Sequence, residues 1–479
     1  MRKSLFRTRK LGFPISQPAI CLALTGHELW RILDGGCRRN RIMSNQKAQV
    51  SQKGSKAAYR WDMVFAGAML MLCFGTVYAW SYFQVPLMQT FGWNNAQVSL
   101  VFSLAIFFLG MAAAVGGVIL PNAGPQRIAL IGSVLFSLGY LLAAFALSLK
   151  SLALLYIGYS IIGGTGLGLG YVTPVATVSK WFPEKKGLAT GMVIMGFGFG
   201  ALFMSKVIAP VFLRLYDGNL VNSFLTFALL FAAITIPSSL AMKDPPERAL
   251  GQSKQPNSSN SRQQKQDDAK TAISLSLRQA SKDILSKRFL VVWMILFCNI
   301  SAGISIIGFQ SPMFQELIIN RNPSSTAEAL ASMGATLIAV TSIFNGVGRL
   351  LWGIFSDRFG RIRAYRLLLG SEILVFFLLI FTRSPWVFAI CACWILFCYG
   401  GGFGMMPATI SELFGPQKMA IMYGAVLTAW SFGGVIGPQI TAYIKDTQPS
   451  QAIKISFIVG AVFIAIAFLF SILITDKKK

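Results

Sequence analysis

The chain has 479 residues, of which 54% are hydrophobic and 13% are charged, and its mean hydropathy is +0.60. Soluble domains carry about 25% charged residues, so this chain has too few charges to cover a water-facing surface. The single histidine, His27, precedes every apolar segment, which excludes histidine-based catalysis or metal binding in a membrane core. The seven cysteines have neither zinc spacing nor the small secreted setting of a disulfide framework, and we interpret them as reduced packing residues.

The formal net charge is +26, from 43 Lys and Arg against 17 Asp and Glu. A nucleic-acid-binding protein would gather such charge on one soluble face. Here the basic residues lie in short loops between apolar runs, which is typical of membrane topology. The composition therefore predicts a polytopic helical membrane protein that has no nucleic-acid partner.

The first 42 residues are rich in arginine, contain Pro14 and Pro18, and include no apolar run of about 20 residues. The apolar stretch at 19–24 is too short for the hydrophobic region of a signal peptide. Met43 opens an ordinary short basic lead into the first apolar segment. We interpret residues 1–60 as a basic cytoplasmic segment, with Met43 as a candidate start and residues 1–42 as an upstream extension.

Because a spanning helix needs about 20 predominantly apolar residues, the apolar runs predict twelve transmembrane helices in two groups of six. They are expected near 61–87, 96–120, 128–149, 151–178, 188–213, 222–242, 289–315, 329–354, 365–382, 385–411, 420–443 and 453–475. The predicted fold is an all-α membrane protein with an N-terminal bundle at 61–242, a C-terminal bundle at 289–475 and a basic tail at 476–479.

Lysine and arginine are concentrated in the loops on the side that holds both termini, above all in the stretch 243–288. The opposite loops hold few basic residues, such as Lys150, Arg321 and Arg383. By the positive-inside rule, both termini are expected in the cytoplasm, in a multi-pass protein of the plasma (inner) membrane. Residues 243–288 then form a cytoplasmic linker, disordered by composition in its first part and compatible with an amphipathic surface helix in its second.

The two halves of the sequence carry a weak internal repeat. The Ala-Thr-Val-Ser of 176–179 recurs as Ala-Thr-Ile-Ser at 408–411, and each copy follows a nearby proline. The series Gly117, Gly124 and Arg127 is in step with Gly353, Gly360 and Arg363. A repeat of about half the length of a membrane protein is typical of transporters with two pseudo-symmetric bundles and a substrate site between them.

The second-half copy, Gly353-Ile-Phe-Ser-Asp357-Arg358-Phe-Gly360-Arg361, resembles the loop motif of the major facilitator superfamily. An acid beside several bases at a helix end can form charge-assisted bonds that latch neighbouring helices in one state. A solvated topogenic loop would explain the arginines but not their spacing. In the first-half copy, Pro121 and Asn122 replace the expected Asp and Arg, so the latch there is expected to be weak or absent.

Within that superfamily the chain resembles the oxalate:formate antiporter family, which includes monocarboxylate and lactate carriers. The resemblance runs from about residue 61 to 474 and rests on four segments. They are GTVYAWSYFQVPL, GYVTPVATVSKWFPEKKGLATGMVIMGFGFGA, FNGVGRLLWGIFSDRFGR and AIMYGAVLTAWSFGGVIGP. The resemblance implies alternating access by a monomer and a small carboxylate substrate, with transport either coupled to protons or by exchange.

Arg349 lies within span 8, where a charged residue is costly and usually faces a cavity. The family's substrate-binding arginine falls at this position, so we expect Arg349 to bind a carboxylate through its planar fork of donors. The alternative is that Arg349 is a structural residue, whose side chain snorkels to the cytoplasmic face or pairs with a carbonyl. Asn345 lies one turn earlier on the same helix face. Animal proton-coupled relatives have an aspartate near that position, whereas an asparagine cannot titrate. The alternative role for Asn345 is an ordinary interhelical hydrogen bond.

Trp430 in span 11 occupies the position at which oxalate carriers of the family have a lysine. With one cavity cation remaining, a monoanion is the balanced substrate, whereas a dianion would keep one charge unpaired in a poor dielectric. The alternative is that Trp430 is a packing residue. Further candidates to line a small-anion cavity, or alternatively to pack in the core, are the rings of Tyr78, Trp80, Tyr82, Tyr171 and Tyr399 and the amide of Gln310.

The glycine run 164–170 superficially matches a dinucleotide loop, but it lies inside an apolar span and follows no soluble strand, so close helix packing is expected there. No enzyme, cofactor or metal site is predicted. The expected function is secondary transport of small monocarboxylates such as lactate, pyruvate or formate. The alternatives are a dicarboxylate/formate exchanger and a cationic-drug exporter. The exporter would need a carboxylate embedded in the cavity, and Glu372 and Glu412 are predicted near cytoplasmic helix ends.

Overall fold

The computed structural model describes residues 60–182, 186–245, 280–415 and 418–474. Twelve helices in these ranges are long and apolar enough to cross a membrane, which confirms the predicted number. They are α1 (Arg60–Phe91), α2 (Asn95–Ala123), α3 (Pro125–Ser148), α4 (Leu152–Trp181), α5 (Leu188–Leu215), α6 (Leu220–Ala241), α7 (Lys287–Arg321), α8 (Ala327–Phe359), α9 (Arg361–Phe381), α10 (Pro385–Phe414), α11 (Met419–Thr447) and α12 (Pro449–Ile472). Residues 1–59 and 246–279, with Met43 and most of the predicted linker, lie outside the described ranges.

Polar caps fix where several helices begin. Asn94 precedes α2; its side chain accepts a hydrogen bond from the Gln97 backbone at 2.8 Å, and the Gln97 side chain accepts one from the Asn94 backbone at 3.0 Å. Thr326 caps α8 in the same way through the backbone amide of Ala329. A side-chain acceptor directly before an apolar run satisfies amides that the helix itself cannot pair.

Two glycines mark equivalent turns of the two bundles. Gly124 between α2 and α3 has φ +79° and ψ 156°, and Gly360 between α8 and α9 has φ +95° and ψ 144°. Both are in a region that side chains with a Cβ rarely adopt. The match of conformation at positions that the sequence repeat aligns supports two pseudo-symmetric six-helix bundles.

Several of the twelve helices are irregular, including α4, α10 and α11. A π-helical stretch, Tyr156–Gly163, interrupts α4, and Pro407 lies inside α10. α11 breaks at Leu427, whose amide faces the carbonyl oxygens of both Tyr423 and Gly424. Irregular backbone within a membrane span is tolerated where it is buried in protein or lines a cavity.

The two bundles meet along the pairs α5–α8 and α2–α11, and glycines allow their backbones to touch. A Cβ built on Gly198 of α5 would lie 2.4 Å from the Cα of Gly346 of α8. A Cβ on Gly117 of α2 would lie 2.5 Å from the carbonyl oxygen of Ala420 of α11. Such stripes of small residues are the usual means by which transmembrane helices approach closely.

The interface is closed at both ends. We call the end with the α2–α3 and α8–α9 turns the basic side, and there the Gly117 contact joins the bundles. On the opposite side, Asp446 of α11 accepts hydrogen bonds from the Asn95 side chain and the Ala96 backbone of α2, both at 3.0 Å. Lys206 of α5 donates to Thr336 of α8 at 2.6 Å. The structure is therefore an occluded arrangement of the two bundles.

Candidate functional site

Arg349 of α8 is fully buried where the two bundles meet. Its Nε donates to the Oδ1 of Asn345 at 3.2 Å, the i, i+4 contact that the sequence predicts. Its Nη1 donates to the hydroxyl of Tyr171 of α4, in the other bundle, at 3.4 Å. The guanidinium is thus oriented by one neighbour from each bundle.

Two phenylalanines hold the guanidinium from either bundle. The Cζ of Arg349 lies 5.2 Å from the ring centroid of Phe197 of α5 and 5.1 Å from that of Phe403 of α10. A cation over an aromatic face is stabilised by about 0.5–2 kcal/mol, more when it is desolvated. These two contacts offset part of the cost of burying a charge, and Arg349 is in none of the described ion pairs.

Trp430 of α11 closes the aromatic enclosure. Its ring centroid lies 4.6 Å from that of Phe403 and 5.2 Å from that of Tyr171, in edge-to-face arrangements. Tyr78 of α1 completes the set, with its hydroxyl 2.6 Å from that of Tyr399 of α10. We call Arg349 and the residues around it the Arg349 site: Asn345, Tyr78, Tyr171, Phe197, Tyr399, Phe403 and Trp430.

Three buried polar groups in or beside this site have no partner within hydrogen-bond distance and angle among the described residues. They are the Nη2 of Arg349, the Nε1 of Trp430 and the hydroxyl of Tyr423. A buried donor without a partner costs about 1–3 kcal/mol, more for a charged group. Nη2 and Nε1 are donors and the hydroxyl can donate, so the arrangement suits an acceptor-only ligand such as a carboxylate.

A small cavity of about 10 Å³ adjoins Asn345 and is lined in part by Tyr78, Gln310 and Thr341. The Oε1 of Gln310 accepts a hydrogen bond from the hydroxyl of Thr341 at 2.7 Å. A space of this size holds about one water molecule. The structure therefore brings Gln310 beside Asn345, and a carboxylate needs the surrounding side chains to move apart.

Trp80 is not brought to the Arg349 site. Its indole donates to the carbonyl of Val98 of α2 at 3.1 Å, and its ring lies 4.9 Å from that of Tyr159 of α4. Tyr78 lies in a 3-10 stretch, Gly75–Ala79, and two residues along an α- or 3-10 helix rotate a side chain by about 200–240°, so Trp80 faces away from the direction of Tyr78. The prediction that both line one cavity is corrected: Trp80 packs inside the N-terminal bundle.

Glu372 also differs from its sequence-based placement. It was expected near the cytoplasmic end of its helix, but it lies in the middle of α9 with none of its surface exposed. The Nδ2 of Asn299 of α7 donates to it at 2.9 Å. Hydropathy marks the span but not the depth of a single residue within it. None of its described hydrogen bonds is with a residue of the Arg349 site.

The motif at the α8–α9 turn forms an ion-pair cluster on the basic side. Arg361 pairs with Asp357, and its Nε lies 3.6 Å from Glu412 at the end of α10. Arg361 also donates to the carbonyl of Gly353 at 3.5 Å, and Gly360 makes the turn. The cluster joins three helix ends of the C-terminal bundle; Arg358 has no described contact in it, and the role of the motif as a latch stays a prediction.

Sequence reasoning missed Phe197, Phe403 and Tyr423. Phe197 and Phe403 each lie between glycines, in GFGFG and GGFG. A bulky ring flanked by glycines presents an aromatic surface where neighbouring helices approach closely, and that pattern is the signal that could have identified both. Tyr423 stands in a Tyr-Gly pair directly before the break in α11, and nothing in the sequence distinguishes it from a packing residue.

The fold and this arrangement together define a class of protein: a membrane carrier with two pseudo-symmetric bundles and a buried cationic side chain between them. The chain belongs to the major facilitator superfamily, since the model of that family matches residues 64–438 and 318–479.

Relatives and solved structures agree with this assignment. The chain is 24% identical to the oxalate:formate antiporter of Oxalobacter formigenes, over 82% of this chain and 87% of that protein. It is 26% identical to apicoplast pyruvate carrier 1 of Toxoplasma gondii, over 78% and 82% of the two chains. The crystal structure of the transporter FucP in the outward conformation superposes with a TM-score of 0.60 at 16% identity, covering 86% of this chain and 99% of FucP. The twelve-helix fold predicted from the sequence is confirmed.

Proposed function

We propose that this protein is a secondary active transporter of small monocarboxylates, such as lactate, pyruvate or formate, working by alternating access. The observation that carries the proposal is Arg349: a fully buried guanidinium between the bundles whose Nη2 has no partner among the described residues. An arginine at the centre of a membrane costs about 2.5–3.5 kcal/mol on insertion scales and is usually functional. A carboxylate supplies the charge and the acceptors that this group lacks.

Charge balance favours a monoanion. Among the described residues of the Arg349 site, Arg349 is the one cationic side chain, and Trp430 occupies the position at which oxalate carriers are expected to have a lysine. A dicarboxylate would bring a second negative charge into an enclosure of aromatic rings, where desolvating it costs several kcal/mol. The similarity to the oxalate:formate antiporter keeps a dicarboxylate exchanger as the second candidate. A cationic-drug exporter gains no support, because Glu372 makes no described contact with this site.

The occluded arrangement supports alternating access. The Arg349 site receives side chains from both bundles, including Tyr171 of one and Asn345 of the other. Rocking of one bundle against the other would therefore open the site to each side of the membrane in turn. We further infer that the basic side faces the cytoplasm, as the distribution of lysine and arginine indicates. Accessibility mapping with cysteines placed in residues 243–288 tests that orientation.

The experiment that tests the function is uptake by the purified protein in proteoliposomes, with labelled lactate, pyruvate, formate and oxalate, each with and without a pH gradient. Saturable uptake of the three monocarboxylates, and weaker uptake of oxalate, is expected. Preference for oxalate would favour the exchanger. Transport of none of the four acids would refute the proposal.

A further inference from the structure

Glu372 of α9 and Asn299 of α7 form a buried carboxyl–amide pair in the C-terminal bundle. The Nδ2 of Asn299 donates to the Oε2 of Glu372 at 2.9 Å, and both residues are buried. The Oε1 of Glu372 and the Oδ1 of Asn299 have no hydrogen-bond partner in the described part of the chain. The described ion pairs of the chain do not include Glu372.

An ionised carboxylate in these surroundings would be an uncompensated buried charge, which is among the most costly groups in a protein interior. The neutral acid differs from it by one O–H donor. The pair leaves two acceptor oxygens without a donor, and a proton on the Oε1 of Glu372 would add the one donor that the pair lacks. The neutral acid therefore suits these surroundings better than the carboxylate does.

Few other groups near Glu372 can take up a charge. From α10, the thiol of Cys398 lies 3.7 Å from the hydroxyl of Ser371, the neighbour of Glu372 in α9. Tyr365 of α9 donates its hydroxyl to the carbonyl of Gly402 at 2.7 Å. Lys454 lies near the start of α12, on the side of the protein opposite the basic side. In α8, the guanidinium of Arg349 donates hydrogen bonds to Asn345 and Tyr171. Among these groups, Glu372 is the one carboxylic acid.

One helix, α10, separates the pair from the Arg349 site. On the face toward the pair, a Cβ built on Gly402 would lie 2.8 Å from the Oδ1 of Asn299. The next residue, Phe403, contacts the guanidinium of Arg349, and Tyr399 of the same helix bonds to Tyr78. A Cβ on Gly404 would lie 2.0 Å from the carbonyl oxygen of Arg349. A change in the packing of Asn299 against α10 therefore reaches the Arg349 site through directly contacting residues.

We propose that Glu372, with Asn299 as its hydrogen-bond partner, binds the proton that is transported together with the monocarboxylate. This inference rests on the proposed function. Glu372 takes its proton from a hydronium ion on one side, forming an O–H bond, when the packing of Asn299 against α10 changes and admits water to the pair. The bond breaks, and water accepts the proton, when the same change admits water from the other side. One monoanion and one proton move together, so the step is electroneutral. Asn345 cannot titrate, and Glu372 supplies the acid that the Arg349 site lacks.

The test uses the full chain in proteoliposomes, with lactate as the probe and Glu372→Gln as the variant that mimics the neutral acid. Two assays are run: lactate/lactate exchange without a pH gradient, and net accumulation with a gradient of about one pH unit. For one proton per monoanion, such a gradient supports about tenfold accumulation by the wild type. Protein-free vesicles correct for lactic acid that crosses the lipid unaided. Glu316→Gln is the matched control, because that carboxyl is paired with Lys445 at 2.6 Å.

We expect Glu372→Gln to retain measurable exchange while its accumulation ratio falls to about 1, and we expect Glu372→Asp to retain part of the accumulation and Glu316→Gln to match the wild type. Accumulation by Glu372→Gln equal to that of the wild type would overturn the proposal. Loss of both lactate binding and lactate exchange in Glu372→Gln would also overturn the proposal, because Glu372 would then be a structural residue. Wild-type exchange without any response to the pH gradient would refute proton coupling alone, whereas absence of lactate exchange in the wild type would refute the proposed function.

Discussion

The hydroxyl of Tyr78 in α1 lies 2.6 Å from the hydroxyl of Tyr399 in α10, so one hydrogen bond joins the two bundles directly across the Arg349 site. Both rings are buried, and the ring of Tyr78 also lies 6.2 Å from that of Trp430. The bond is made where the bundles must separate during transport. We therefore expect closure of the site to form this contact and opening to break it.

We expect Tyr78→Phe and Tyr399→Phe each to weaken lactate binding by about 2- to 10-fold, since a net hydrogen bond is worth about 0.5–1.5 kcal/mol. Because the two hydroxyls act as one unit, the double variant should bind lactate about as well as either single variant. Quenching of tryptophan fluorescence by lactate measures the binding, with Trp430 beside the site as a reporter. Additive losses in the double variant would show that the bond does not couple the two residues.

Asp446 is expected to keep the opposite side closed, because its carboxylate accepts two hydrogen bonds from the first turn of α2. Asp446→Asn removes the charge and one acceptor, and charge-assisted bonds are worth about 1.5–3 kcal/mol. We predict that a cysteine at position 99, deeper along α2, reacts several-fold faster with a water-soluble thiol reagent in the Asp446→Asn background. Glu328→Gln, an equal change of charge in the first turn of α8, is the control. Equal rates in both backgrounds would contradict the assignment.

Gly198 is predicted to be essential for closure of α5 against α8. The added methyl group of Gly198→Ala would lie 2.4 Å from the Cα of Gly346, so the two backbones must move apart. Uptake should fall strongly while the protein stays in the membrane. Gly370→Ala in α9 is the matched control, because its methyl group meets Phe468 at 3.6 Å, an ordinary contact. The test compares the uptake rates and the thermal unfolding of the two variants. Equal uptake by both would show that close approach of the helices at Gly198 is not needed.

Trp430→Lys is expected to shift the preference of the carrier from monocarboxylates toward dicarboxylates. The substitution places a second cation beside Tyr171 and Phe403, which now contact the indole ring. A desolvated charge-assisted contact is worth about 1.5–3 kcal/mol, or about 10- to 150-fold in affinity. The ratio of oxalate to lactate affinity should therefore rise, and Trp430→Phe, which adds no charge, should leave it unchanged. A ratio that does not rise in Trp430→Lys would argue that position 430 has no part in selectivity.

Much of the fold follows from local signals in the sequence. Apolar length gives the number of helices, and caps such as Asn94 and turn glycines such as Gly360 give their limits. α7 extends to Arg321, beyond the predicted end at 315, because its buried face continues through Leu317 and Ile318. Hydropathy alone does not show that continuation.

The site was predictable in part. Arg349 and Asn345 share a helix face, and this local relationship is readable from their spacing. Phe197 reaches the guanidinium because the two bundles pack together, and Phe403 reaches it because α10 packs on α8 within one bundle. Such contacts between residues far apart in the chain leave no trace in local spacing. Trp80 shows the opposite failure: it is close to Tyr78 along the chain, but helix rotation places it elsewhere. Glu372 was misplaced because an apolar window does not give depth.

The central claim is that Arg349 anchors the carboxylate, and lactate binding by the wild type, Arg349→Gln and Arg349→Lys tests it most directly. Binding is measured by fluorescence quenching on purified protein whose folding is checked by thermal unfolding. We predict that Arg349→Gln binds lactate at least about 10-fold more weakly, as expected for a charge-assisted contact, and that Arg349→Lys is also impaired because a point charge cannot reproduce the planar fork. Lactate affinity in Arg349→Gln equal to that of the wild type would contradict the account.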